Sequence, residues 1–274
     1  MKIYYQWLVW SYSSGVAKII SEIYNNQAEI EWLFSFKDVF EKLSDSDLWV
    51  IPIENSYAWS IHENFYNLSN FDCVVVWEYY KTVNHCLLSK WDDISKIKYV
   101  YSHPQALMQC EWYLNRHWIK ALSYSDTASA ADYISKQDDI SIAAISSSFC
   151  SEIYWLNILD KSIQDQWWNT TRFFIIKKSN SWITIPMNNH ISESKKISLL
   201  FKAKHQPASL YKCLWCFATR NINLTKIESL SAQDNPFEYM FWIDIEKTTD
   251  KSNIDSSLQE LSFFTEFTKI LWEY

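Results

Sequence analysis

A 274-residue chain with one glycine has almost no residue suited to a left-handed turn, and that shortage constrains its fold more than any other feature. About 7% glycine is usual, so roughly 19 would be expected at this length. Against the single Gly15 stand 16 tryptophans, and the two counts together approach that figure. Backbone that turns with positive φ, or that closes on a ligand, cannot use an indole for the purpose. We read most of these tryptophans as glycine positions. A source that decodes UGA as glycine gives this composition when its gene is translated with UGA as tryptophan.

The remaining composition is that of a globular chain, with 48% hydrophobic and 21% charged residues. A net charge of -7 argues against a nucleic-acid partner. No run of apolar residues is long enough to span a membrane. The start, MKIYYQ, lacks the apolar stretch of a secretion signal and reads as a first strand, which points to a cytoplasmic protein. The cysteines at 73, 86, 110, 150, 213 and 216 lie in apolar periodic segments and read as buried free thiols. Cys213 and Cys216 form a C-x-x-C with no second pair, so helix packing is expected there rather than a metal.

Residues 1–178 alternate short apolar runs with helical patterns. The runs are Leu48–Ile53, Cys73–Trp77, Ile97–Tyr101, Ile140–Ile145 and Arg172–Ile176. Helical spacing covers Val16–Tyr24, Phe36–Leu43, Ala106–Arg116, Ala128–Lys136 and Ser147–Tyr154. That alternation predicts an α/β fold with mostly parallel sheets. Residues 179–194 are polar and unperiodic, as in a linker. Residues 195–274 then follow the order β-α-β-β-α-β of a ferredoxin-like unit.

Four strand ends carry polar clusters. Pro52-Ile53-Glu54-Asn55-Ser56 ends an apolar strand, where parallel α/β sheets bind ligands, although a strand-end turn explains it equally well. Ser102-His103-Pro104-Gln105 reads as a strand end, an N-cap and a first helical turn with N–H groups free for an anion. His103 alone reads as structural. Ser125-Asp126-Thr127 caps another helix. Asn169-Thr170-Thr171-Arg172-Phe173 opens a strand with a hydroxyl, a guanidinium and an aromatic ring, and Arg172 suits a carboxylate.

Taken together these motifs resemble the prephenate dehydratase family over nearly the whole chain. The matches are PIENS at 52–56, SHPQAL at 102–107, DTA at 126–128, AAI at 143–145 and TRF at 171–173. INLTKIES at 222–229 and FEYMFWIDIE at 237–246 resemble that family's regulatory ACT domain. The resemblance implies a two-lobed, periplasmic-binding-protein-like catalytic domain over 1–178. One lobe would be roughly 1–77 with 162–178, the other 78–161, and an ACT domain would occupy 195–274. It implies decarboxylating dehydration of prephenate, with no cofactor and no metal. Thr171 would stand beside the departing hydroxyl, with Glu54, Asn55 and Gln105 completing the catalytic set. The proton would reach that oxygen through Thr171 from water or from Glu54. Ser11, Ser102, His103, Arg172 and Phe173 would bind substrate.

An ACT domain implies a phenylalanine site, here Ala208, Ser209, Leu210, Asn223, Leu224, Glu228 and Ser229. It also implies a homodimer or homotetramer. The family's Gly-Ala-Leu-Val appears as Pro207-Ala208-Ser209-Leu210, and its Glu-Ser-Arg-Pro as Glu228-Ser229-Leu230-Ser231, without the arginine. The motifs also test the glycine reading. Trp7, Trp10, Trp59, Trp77, Trp155, Trp215 and Trp272 stand at family glycine positions, as does Trp49, whereas Trp242 sits in an aromatic strand and reads as genuine. The motifs do not separate this activity from that of an arogenate dehydratase, whereas an amino-acid-binding protein without chemistry fits less well.

Overall fold

The fold is that of a computed structural model describing residues 1–6, 11–56, 59–166, 168–184, 196–231, 239–247 and 251–273. The chain begins with β1 (Lys2–Gln6), α1 (Tyr12–Ile23), β2 (Glu29–Leu33), α2 (Phe36–Glu41) and β3 (Leu48–Asn55). It continues through β4 (Trp59–Ser60), α3 (His62–Asn70) and β5 (Cys73–Thr82). The second lobe holds β6 (Cys86–Ser89), β7 (Tyr99–Ser102), α4 (Pro104–Met108), α5 (Glu111–Arg116) and β8 (Lys120–Ser123). It closes with α6 (Thr127–Ser135), β9 (Ile142–Ser146), α7 (Ser148–Tyr154) and β10 (Asn157–Lys161). β11 (Thr170–Lys178) then returns to the first sheet, whose order is β2-β1-β3-β11-β5 with β4 on β3. The second sheet runs β10-β6-β9-β7-β8.

Both sheets are mixed rather than mostly parallel. Parallel pairs join β1 to β2 and β3, and β7 to β8 and β9. The strands that carry the chain between lobes pair antiparallel: β11 with β3 and β5, and β6 with β9 and β10. The short strands β2, β6, β8 and β10 are missing from the sequence reading. The helix expected over Ala106–Arg116 is two helices, broken at Gln109 and Cys110.

The C-terminal domain comprises β12 (Lys196–Ala203), α8 (Ser209–Ala218), β13 (Leu224–Ser231), β14 (Tyr239–Glu246), α9 (Lys251–Phe264) and β15 (Thr265–Glu273). Its antiparallel sheet, in the order β13-β14-β12-β15, is the ferredoxin-like arrangement. One face packs on α8 and α9 through Leu199, Phe217, Ile243 and Leu261. The other face shares a core with the first lobe, where Leu200, Leu230, Met240 and Trp242 meet Ile51, Phe65 and Phe174. Burial of that apolar surface fastens the two domains together. The segment expected as a linker is anchored at its start. Ser181 Oγ donates to the Asp45 carbonyl at 2.7 Å, and Ile183 is buried in the first lobe's core. Residues 185–194 of that segment lie outside the described residues.

Backbone conformation bears directly on the tryptophans. Trp118 and Trp155 adopt φ of 57° and 54° at the ends of α5 and α7. The N–H groups of Ile119 and Leu156 reach back to the carbonyls of Leu114 and Ser151, a helix ending that favours glycine. Their indoles are 92% and 90% exposed and gain nothing from packing. Trp242 is the opposite case: fully buried, its Nε1 donates to Asp244 at 2.8 Å. Trp49 is also fully buried, and its Nε1 has no hydrogen-bond partner among the described residues. Trp7 and Trp10 lie outside the described residues, as do the side chains of Trp59 and Trp272.

The six cysteines are free and buried. Burial pushes the thiols of Cys213 and Cys216 up to about 11, which leaves them protonated at neutral pH.

Candidate active site

A cavity of about 340 Å³ lies between the lobes. The first lobe supplies Ser11, Tyr12, Ser13, Pro52, Asn55, Thr171 and Phe173. The second supplies His85, His103, Gln105, Gln109 and the start of α6, Asp126 to Ala128. Ser11 caps α1 by accepting from the Ser14 N–H at 3.3 Å, and Asp126 caps α6 by accepting from Ser129 N–H at 2.7 Å. Two helix starts, one from each lobe, therefore reach the same cavity.

Thr171 and Asn55 face each other across β11 and β3. Asn55 Nδ2 donates to Thr171 Oγ1 at 2.9 Å and to Asn169 Oδ1 at 2.8 Å. Asn169 Nδ2 donates to Gln109 Oε1 at 2.8 Å, and the same oxygen lies 2.7 Å from His85 Nε2. A continuous polar chain thus runs from the cavity hydroxyl to a histidine on the far lobe. Asn169, His85 and Gln109 are only 1%, 3% and 5% exposed, so water competes little for these bonds. Burial pulls the His85 imidazole below its usual range, and the bond to Gln109 offsets part of that fall. Sequence reading missed Gln109 and His85, and gave Asn169 no role in its cluster. One signal was present: Gln109 is four residues after Gln105, one helical turn along.

Glu54 and Arg172 are not in this cavity. Arg172 follows Thr171 on a strand, so its side chain emerges on the opposite face. There it lies 2.9 Å from Glu54, 2.7 Å from Glu78 and 3.1 Å from Asp244 of the C-terminal domain. Glu54 would share the cavity face with Pro52 if β3 alternated strictly. A bulge skips Ile53 in the register, so Arg172 pairs with Glu54 but Phe173 pairs with Pro52. The extra residue turns Asn55 into the cavity and Glu54 away from it. Burial pushes the Glu54 carboxyl up, but Lys226 and Arg172 outweigh it and hold the group below the usual carboxylate range. It is ionised and cannot supply the proton expected of it.

Ser102 is also outside the cavity, fully buried, with Oγ donating to the Ile145 carbonyl at 2.6 Å. It ties β7 to β9 and does not cap the following helix. His103 takes the cap position instead, accepting weakly from Gln105 N–H at 3.3 Å. Gln105 and Phe173 line the cavity.

In the C-terminal domain a second cavity, of about 320 Å³, is lined by Ala208, Ser209 and Leu210. Ala208 adopts φ of 59°, a left-handed conformation that favours glycine. Asn223, Leu224, Glu228 and Ser229 are not brought to this cavity. Glu228 instead accepts from Ser60 and bonds His62 at 3.0 Å, in the joint with the first lobe. Leu230, where the family has arginine, is buried in that joint.

The family described as Prephenate dehydratase matches residues 3–181. A Methanocaldococcus jannaschii protein described as prephenate dehydratase is 35% identical over 96% of this chain and 94% of its own length. An Arabidopsis thaliana protein described as a chloroplastic arogenate dehydratase/prephenate dehydratase is 38% identical over 82% of this chain, which spans 60% of that longer protein. Among solved structures, that of Arthrobacter aurescens prephenate dehydratase in complex with L-Phe superposes with a TM-score of 0.84 at 20% identity, covering 99% of this chain and 89% of that one. At that identity the likeness is one of fold.

Proposed function

This chain belongs to the prephenate dehydratase family, and we propose that its interlobe cavity converts prephenate to phenylpyruvate. The observation that carries this reading is the bond from Asn55 Nδ2 to Thr171 Oγ1. It occupies a lone pair of the hydroxyl, which leaves the hydroxyl's own proton to be donated into the cavity. Prephenate has a carboxylate on a ring carbon, a pyruvyl side chain and a hydroxyl on the opposite carbon. As the bond to the carboxylate breaks, carbon dioxide leaves and the electron pair enters the ring. The opposite carbon–oxygen bond breaks, the oxygen takes its pair and one proton, and water departs from an aromatic product. Thr171 stabilises the charge that grows on that oxygen. A threonine hydroxyl is too weak an acid to be the net source, so solvent supplies the proton.

Neutral donors suit this chemistry. Among the described residues no lysine or arginine lines the cavity. A cation beside the ring carboxylate would retain the charge that must be lost. Ser11, Ser13, Thr127 and Gln105, with the two helix starts, can hold a dianion without pinning that group.

The C-terminal domain is read as an ACT unit that binds phenylalanine as a feedback effector. Ser209 Oγ supports this, being buried at the start of α8 beside the second cavity with no partner among the described residues. The edge strands β13 and β15 suit a homodimer or homotetramer. A cytoplasmic location fits the same reading. Steady-state rates on prephenate and on arogenate test the assignment. Faster turnover of prephenate, with phenylpyruvate as product, is expected. Faster turnover of arogenate makes this an arogenate dehydratase, and no product from either precursor sinks the reading.

A further inference from the structure

The polar chain behind Thr171 can point in only two directions. Each carboxamide has one donating and one accepting end, so reversing one reverses its neighbours. In the arrangement observed, Gln109 Oε1 accepts from Asn169, and the His85 nitrogen beside the same oxygen must therefore donate. His85 then carries its proton on Nε2. With the proton on Nδ1, Nε2 would accept, and Gln109, Asn169 and Asn55 would each have to turn over. Asn55 would present its oxygen to Thr171, and the threonine would donate to Asn55 instead of into the cavity.

His85 Nδ1 agrees with the first arrangement. It is buried and has no hydrogen-bond partner among the described residues. A proton on Nδ1 would bury an N–H that no acceptor among the described residues receives. The ring is held in place by an edge contact with Tyr12, 6.4 Å between centroids, and the residue's backbone N–H donates to Gln164 at 2.9 Å.

We propose that His85 is a positioning residue whose Nε2–H tautomer sets, through Gln109, Asn169 and Asn55, the direction in which Thr171 offers its proton. This rests on the reading of Thr171 as the donor to the departing oxygen. The imidazole need not exchange a proton with substrate. It polarises a chain of amides that spans both lobes, so the cavity hydroxyl is correctly aimed when the lobes are in register.

Nitrogen-15 NMR of histidine-labelled full-length protein reads the tautomer directly. A neutral His85 protonated at Nε2 is expected, and protonation at Nδ1 overturns the proposal. Two variants give a kinetic readout. His85→Gln can place an N–H near the Nε2 position, whereas His85→Asn is too short to reach Gln109. The kcat of His85→Asn should fall at least about tenfold below that of His85→Gln, with KM changed by less than about threefold between them. Equal kcat values overturn the proposal. If neither variant folds, the tautomer of the unaltered protein still decides. Unchanged turnover in Thr171→Ala would remove the hydroxyl reading without altering the His85 tautomer, so the two failures are distinguishable.

Discussion

Nη1 of Arg172 lies 3.1 Å from Oδ2 of Asp244, so the residue next to the candidate catalytic threonine is held by a carboxylate of the C-terminal domain. Asp244 is held in turn by Ser198 Oγ at 2.6 Å and by Trp242 Nε1 at 2.8 Å. The ion pair is buried on both sides, with side chains 4% and 2% exposed. Removing Asp244 takes the acceptor from Ser198 and Trp242 and leaves Arg172 to Glu54 and Glu78, whereas removing Arg172 leaves Asp244 a buried charge with only neutral donors among the described residues.

Asp244→Ala should therefore destabilise the protein by about 3–5 kcal/mol. Arg172→Met combined with Asp244→Leu should cost less than the sum of the two single changes, because Asp244 is then not left charged without Arg172, although Glu54 and Glu78 still lose that partner. Denaturant melts of the three variants check this. A loss below about 1 kcal/mol in Asp244→Ala would mean the pair is hydrated in solution.

Glu54 gives the joint a pH dependence of defined sign. Although burial pushes its carboxyl up, Lys226 and Arg172 hold it below its ordinary value in the folded chain. Its contribution is therefore complete above the unfolded value of about 4.3 and is lost as pH falls through the lower folded value. Stability measured from about pH 6 down to about pH 3 should drop less steeply in Glu54→Gln than in the parent.

Thr171→Ala should lower kcat by about 10²-fold or more with the fold intact, in line with the loss of a single donor to a growing oxyanion. Thr171→Ser keeps the hydroxyl and should recover most of the rate. Circular dichroism and kcat of the two variants test this, and near-parental turnover in the alanine variant refutes the role.

Trp118→Gly and Trp155→Gly should each stabilise the protein by about 1 kcal/mol, since a left-handed backbone strains a bulky residue and these indoles pack on nothing. Trp242→Gly should do the reverse by about 3–5 kcal/mol, by opening a cavity and removing one of the donors to Asp244. Thermal melts distinguish the cases. An intact mass from the native host, lighter than this sequence requires, would show that tryptophan positions hold glycine, and the masses of peptides spanning 118 and 155 would locate it there.

Phenylalanine should inhibit turnover saturably, and Ser209→Ala should raise the half-inhibitory concentration by about tenfold, the worth of one hydrogen bond to a charged group. Activity titrated against phenylalanine in both proteins gives the comparison. Inhibition of equal strength in the two would place the effector elsewhere.

Much of the fold was legible from periodicity. Long strands such as β3, β5 and β11 were seen because many consecutive residues are apolar on both faces. The helices α1, α6 and α9 were seen because their apolar stripes span several turns. The ferredoxin-like order of the C-terminal domain was legible for the same reason. The site was legible by segment and not by side chain. Asn55, Gln105, Thr171 and Phe173 line the cavity, while Glu54, Ser102 and Arg172, each beside or within the same motifs, do not.

What the amino-acid order alone determined is local: which stretches form strands and helices, where polar clusters end them, and where an indole stands at a position suited to glycine. Tertiary structure decided which face of each strand meets the ligand. Alternation tells that Thr171 and Arg172 point apart, but the cavity and the C-terminal domain compete for those two faces, and only packing assigns them. The bulge at Ile53 and the meeting of His85, Gln109 and Asn169 depend on pairing between segments far apart in the chain, so no local pattern encodes them.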